Sequence, residues 1–196
     1  MSYAQTMAAL NAKREEIAAL QSQMRTLQAE VEPEVVADYV LAGWNGPVRL
    51  SELFGAKRDL IVIHNMGTGC PSCTMWADGF NGVYDHLASR AAFVVTSPDP
   101  VEVQKAFAAE RGWRFPMASH AGTTFAKDLG YYKEDDGDGR YGWYWPGISV
   151  FRRQGDGVVR VSDAELGPFD DFCIVYHIFA LVPGADSDWE PRFSYA

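Results

Sequence analysis

Cys70 and Cys73 stand three apart in Gly69-Cys70-Pro71-Ser72-Cys73-Thr74, and this spacing is the main chemical signal of the chain. Such a pair can pass between dithiol and disulfide when it opens a helix next to a strand. Helical spacing of three puts both sulfurs on one side. The first amides of a helix lack internal partners and carry partial positive charge, so a thiolate at Cys70 is stabilised and its pKa falls. Pro71 suits the first turn, where its missing N–H costs nothing. Two other readings stay open: a zinc half-site, or two ordinary buried thiols. Zinc takes four ligands, and Cys173, His64, His86, His120 and His177 supply no second ligand pair. No metal is therefore expected.

The elements around the pair fit this use. Leu60 to Ile63 is a short, β-branched, non-alternating apolar run ending at His64, which suits a parallel strand covered on both faces. A glycine-containing loop, Asn65 to Gly69, leads to the cysteines. Cys73, Trp76, Phe80, Val83 and Leu87 then recur at helical spacing and predict one buried helix face. Ala91 to Thr96 reads as a second buried strand. Pro100 to Arg111 reads as a helix stopped by Gly112. The alternation implies a βαβ unit. Asp78, beyond the pair on the first helix, is expected to be solvated rather than catalytic.

The chain has 196 residues and a net charge of −9, which disfavours nucleic acid and anionic membranes as partners. Three cysteines make no disulfide scaffold. No run resembles a signal peptide or a bilayer span, so a cytoplasmic location with a largely reduced pair is expected. Residues 1–33 read as a separate N-terminal amphipathic helix. Tyr3, Leu10, Ile17, Met24 and Val31 lie seven apart, with Thr6, Lys13, Leu20 and Leu27 as the offset row. That seam, imperfect at Lys13 and Thr6, either supports a homodimer or lies on its own domain. Pro33 ends it, and residues 34–196 form the second unit.

Within that unit, residues 34–54 read as a short amphipathic piece, a turn at Gly43 to Pro47, and a helical turn capped by Ser51. Thr123 to Leu129 reads as a helix. The acidic stretch from Glu134 to Gly139 resembles a calcium loop only superficially, because Trp145 stands where the closing glutamate belongs. The aromatics Tyr141, Trp143, Tyr144 and Trp145 either pack on the sheet or line a substrate groove. Strands 148–152 and 158–161 flank a Gln154 to Gly157 turn. Trp145–Pro146, just before the first of these, is a candidate cis peptide that would present backbone to an extended substrate. Phe169 to Leu181 reads as a closing helix carrying Cys173, a lone structural thiol.

Taken together, strand–C-x-x-C–helix, βαβ and proline–strand–hairpin–helix resemble the thioredoxin superfamily. Leu50-Ser-Glu-Leu-Phe-Gly55, Gly69-Cys-Pro-Ser-Cys-Thr-Met-Trp-Ala-Asp-Gly-Phe80 and Gly112-Trp-Arg-Phe-Pro116 resemble, more narrowly, a bacterial thioredoxin-like family of unknown function often labelled dithiol-disulfide isomerase. The resemblance covers residue 35 to the end. It implies an α/β, thioredoxin-like three-layer α/β/α fold with a mixed central sheet, beside the long N-terminal helix. It also implies a thiol–disulfide oxidoreductase without a cofactor, acting on a protein or small-molecule disulfide. Cys70 would attack and Cys73 resolve, with Trp145 and Pro146 as substrate contacts and His64 as a tuning residue or proton shuttle. Two rivals are a peroxiredoxin-like thiol peroxidase and a non-enzymatic binding protein. The Trp113-Arg-Phe-Pro116 segment favours the first rival. Thr68 lies two residues before Cys70 rather than three, which counts against it.

Overall fold

The computed structural model describes residues 2–134, 143–168, 170–184 and 189–195. The chain divides into two compact units, 1–33 and 34–196.

The first unit is one helix, α1 (Tyr3–Ala29). Ser2 starts it with a capping box. The Gln5 amide donates to Ser2 Oγ at 3.3 Å, and the Ser2 amide donates to Gln5 Oε1 at 2.9 Å. Two of the helix's unpaired donors are satisfied in this way. None of its residues is buried.

The second unit is built on an eight-stranded mixed sheet in the order β1-β10-β9-β4-β5-β6-β2-β3. Its strands are β1 (Glu34–Val36), β2 (Val40–Gly43), β3 (Gly46–Arg49), β4 (Asp59–His64), β5 (Ala92–Ser97), β6 (Met117–Ser119), β9 (Gly147–Gln154) and β10 (Gly157–Glu165). A short pair, β7 (Tyr132–Lys133) with β8 (Trp143–Tyr144), stands apart from it. The helices are α2 (Pro71–Arg90), α3 (Val101–Arg111), α4 (Phe125–Asp128) and α5 (Ile174–Phe179). β4 and β5 pair in parallel with α2 as their crossover, and β6 joins β5 in parallel. β9 runs antiparallel to β4. This is the α/β architecture, with a mixed central sheet, that the resemblance to the thioredoxin superfamily implies.

Strand alternation divides the core into two apolar clusters. Ile61, Ile63, Phe93 and Val95 pack with Cys73, Trp76 and Phe80 of α2. Leu60, Val62, Val94 and Phe151 pack with Phe125, Leu129 and Tyr131. Neighbouring residues of one strand point to opposite faces, so both faces are covered and the run cannot alternate with polar residues. The start of β4 is pinned by Asp59, which accepts from Arg152 at 2.7 Å and Arg90 at 3.1 Å.

Several expectations are corrected. Val83 is exposed, and Tyr84 takes its place on the buried face of α2, edge-on to Phe93 and Phe115. The segment from Glu34 to Arg49 forms three strands, and Ser51 caps no helix. Its amide and hydroxyl both donate to Asp38, at 2.8 Å each. Strands of three or four residues carry too few positions for a period to show. The closing helix is only Ile174–Phe179, because Asp170 folds the chain before it. Its carboxylate accepts from the amides of Gly167, Phe172 and Cys173 at 2.9, 2.6 and 2.8 Å. Residues 135–142, with most of the acidic loop and Tyr141, and Phe169 lie outside the described residues.

The hairpin β9–β10 forms as expected around Gly155, which adopts φ +59° in the tight turn. Both of its strands extend beyond the expected limits.

Candidate active site

β4 ends at His64, and the chain turns through Asn65 to Gly69 before α2 begins. Polar side chains hold that loop. Asn65 Oδ1 accepts from the Gly67 amide at 2.8 Å, and Asn65 Nδ2 reaches the Cys73 carbonyl at 3.4 Å. Asp99, just past β5, accepts from the Thr68 amide at 2.9 Å and from Thr68 Oγ1 at 3.3 Å. Ser97 Oγ donates to the same carboxylate at 3.0 Å and accepts from Gln104 Nε2 at 2.9 Å. Gly67 sits at φ +107°, and a Cβ there would stand 2.9 Å from the Asp99 carboxylate. The loop thus needs glycine for conformation and for space.

This clamp delivers Cys70 to the N-cap of α2. Its sulfur accepts from the Cys73 amide at 3.1 Å. Thr74 Oγ1 donates to the Cys70 carbonyl at 3.0 Å, which secures the first turn. The two sulfurs are unbonded in this structure. The thiols differ sharply. Cys70 is half-buried and Cys73 is 2 % exposed. The Cys70 thiol is lowered to about 7, chiefly by a hydrogen bond from the Cys73 thiol. The Cys73 and Ser72 amides help, against the opposing effect of burial. Cys73 is held above the usual thiol range because it donates to Cys70, is buried and faces the Cys70 charge. A thiolate at Cys70 beside a protonated Cys73 is the arrangement that helix-terminus electrostatics favour.

The other site expectations divide. His64 does not join the pair. It shares the face of Leu60 and Val62, opposite the α2 face. Its ring stacks on Tyr131 at 3.8 Å and its Nε2 meets Ser149 Oγ at 2.9 Å. Burial, then His120 and Arg160, hold it well below the usual imidazole range, so it is neutral. His120 is buried as well and is lowered to about 4 by that burial.

The Trp145–Pro146 bond is trans, so the cis expectation is overturned. The trans form is the lower state of an X–Pro bond by about 0.5–1 kcal/mol, and the local pairing suits it. The Trp145 amide donates to the Tyr131 carbonyl at 2.9 Å, and the Pro146 carbonyl accepts from the Leu166 amide at 3.1 Å. Trp145 lines an open groove with Lys127, Tyr132, Lys133, Trp143 and Glu165, and neither cysteine of the pair lines it. Pro146 leads directly into β9, where Gly147 stands opposite His64.

Cys173 is buried in the same apolar cluster as Cys73 and Trp76. Burial pushes its thiol up. Asp78 is not merely solvated. It forms an ion pair with Arg111 and accepts from Trp113 Nε1 at 2.8 Å, tying α2 to the end of α3. This links the Trp-Ala-Asp string to the Gly-Trp-Arg-Phe-Pro string in space. Sequence reasoning missed Asp99, Asn65 and Gln104. One signal was available for Asp99: in open α/β sheets, sites form beyond the carboxyl ends of parallel strands, and Asp99 follows β5 at that end.

Among the described residues, no three His, Cys, Asp or Glu side chains converge to hold a metal ion. No helix there is long and apolar enough to cross a membrane.

Comparison with solved structures returns peroxiredoxins. The reduced Prx3 of Vibrio vulnificus superposes with a TM-score of 0.59 at 17 % identity, over 76 % of this chain and 97 % of that one. Peroxiredoxin Q of Xanthomonas campestris gives 0.58 at 21 %, over 67 % and 84 %. The peroxidoxin BcpB of Mycobacterium tuberculosis gives 0.55 at 27 %, over 68 % and 84 %. These likenesses establish the thioredoxin-type fold. No curated protein matches the sequence. A family model described as bacterial protein of unknown function (DUF899) matches residues 4–188, and with nearly the whole chain inside it, the protein belongs to that family.

Proposed function

We propose that this protein is a thiol-dependent oxidoreductase in which Cys70 is the nucleophile and Cys73 the resolving thiol. The asymmetry of the pair carries the reading: a half-exposed thiol lowered to about 7, backed by a buried thiol held protonated. The Cys70 thiolate attacks one sulfur of a substrate disulfide. A mixed disulfide forms and the other substrate sulfur leaves as thiolate. Cys70 thereby loses its charge, which weakens the hydrogen bond it accepts from Cys73 and removes the charge that Cys73 faces, so Cys73 is less strongly held protonated. Cys73 then gives up its proton and attacks Cys70 Sγ, which closes the internal disulfide and releases the second substrate thiolate. An external dithiol restores the reduced pair.

The peroxiredoxin neighbours support a second reading with the same two residues. Cys70 attacks a peroxide oxygen, the O–O bond breaks and the leaving oxygen takes a proton. Cys73 then displaces water from the resulting sulfenic acid and forms the same disulfide.

One experiment tests both. Purified protein is given a dithiol donor and either a protein disulfide or hydrogen peroxide. Cys70→Ser is expected to abolish turnover. Cys73→Ser is expected to accumulate a mixed disulfide with the first substrate or a sulfenic acid with the second. Wild-type protein that turns over neither, with no adduct on Cys73→Ser, would remove the redox reading.

A further inference from the structure

We propose that α1 pairs with α1 of a second copy as an antiparallel two-helix coiled coil. The helix runs for 27 residues, about 40 Å at 1.5 Å per residue, and buries none of them. Leu10, Ile17, Leu20, Met24 and Leu27 are each between 45 and 65 % exposed. They fall on the two rows of a heptad seam, which is the pattern two helices bury between them.

Lys13 decides the orientation. It occupies the row of Leu20 and Leu27. In a parallel pair each residue of that row meets its own copy, so two ammonium groups would face each other in the seam. In an antiparallel pair residues of one row meet the other row. With Ile17 set against Leu20 of the second copy, Leu10 meets the second copy's Leu27, and Lys13 meets its Met24. Each of these layers occurs twice by symmetry. From Leu10 to Leu27 every apolar residue of the two rows then has an apolar partner or the unbranched stem of Lys13, while at the ends Val31 meets Thr6 and Tyr3 falls opposite position 34, beyond the helix. The ammonium stays at the rim, where Glu16 already accepts from it at 2.9 Å. The flanking positions also tolerate this register. Arg14 lies beside the second copy's Gln21 and Glu16 beside its Gln23, so no like charges meet. The occupant is a second copy because the stripe is complementary to itself in this one direction.

The test uses the full chain. Sedimentation should show a dimer at micromolar concentration. Leu20→Glu should return it to monomer, and Lys13→Leu should tighten it at least tenfold. For orientation, a spin label on Gln5→Cys is measured in a chain whose native cysteines are serine. The two labels should lie about 40 Å apart if antiparallel, from the helical rise, against roughly 20 Å or less if parallel. A monomeric wild type, a dimer unmoved by Leu20→Glu, or a short label distance would each overturn the proposal. The sedimentation arm keeps the native cysteines, so it stands even if the serine chain folds poorly.

Discussion

The Thr68 amide donates to Asp99 across 2.9 Å, and through that bond the strand that follows α2 holds the loop that precedes it. Asp99 also accepts from Thr68 Oγ1 and Ser97 Oγ. Asp99→Ala leaves these donors without a protein partner, at a cost of about 1–3 kcal/mol. Chemical denaturation should show the loss. The rate of disulfide or peroxide turnover should fall about tenfold or more, since small misplacements of a nucleophile are costly. An unchanged midpoint and rate would mean that the loop is held without Asp99.

The ionisation of Cys70 should be visible in its reactivity. Thiolate is the nucleophile, so alkylation of Cys70 should rise with pH through about 7 and level off above it. An ordinary thiol would rise near 8.5. The folded value lies below the unfolded one, so the stabilisation is complete above the unfolded pKa. It is lost as pH falls through about 7. Rates that keep climbing beyond pH 8 would contradict a Cys70 thiol lowered by the Cys73 hydrogen bonds.

The buried histidines predict acid sensitivity. His120 titrates at about 4 in the fold, and His64 is lowered in the same direction. An unfolded histidine takes up its proton near 6.5. Between those values the unfolded chain binds more protons, so stability falls as pH drops from about 6.5 towards 4. For His120 alone the loss is about 3 kcal/mol, at 1.36 kcal/mol per pKa unit. Denaturation midpoints at pH 7, 5.5 and 4.5 check this, and His120→Asn should flatten the dependence. A profile flat down to pH 4.5 would count against two neutral buried imidazoles.

Glycine positions offer a paired test. A Cβ on Gly147 would fall onto the Tyr131 ring, 2.8 Å from Cζ and 2.9 Å from the Ala164 carbonyl. Tyr131 has little freedom to retreat, because its hydroxyl donates to the Ile148 carbonyl at 3.0 Å and its ring stacks on His64. Gly147→Ala should cost about 1–3 kcal/mol or more. Gly79, in α2, has open space around its Cβ direction. Gly79→Ala should stabilise by up to about 1 kcal/mol from helix propensity. Thermal melting of the two variants should move in opposite directions.

What could be read from residues alone followed element length and sequence separation. β4 and β5 show as unbroken apolar runs, α2 and α3 carry enough periodic positions to be seen, and Cys70 at a helix start follows from local order. The face of His64 was half legible. Alternation sets it with Leu60 and Val62, but only the packed structure shows that α2 covers the other face. Asp99 could not be tied to Cys70 from sequence, because parallel pairing of β4 with β5 creates their proximity. Pro146 misled through the superfamily pattern, which suggested a geometry that the pairing of Trp145 with Tyr131 does not require.

The two margins of the sheet bear on how the protein behaves when concentrated. β1 spans three residues and β3 four, and β3 carries Pro47, which has no N–H to offer. Glu34 on β1 is held by Arg160 at 2.6 Å, placing charge along that margin. Short, charged or proline-bearing margins are poor templates for an incoming strand. The longer central strands are therefore sealed against edge-to-edge growth, and fibre formation would first have to strip away one of the outer strands.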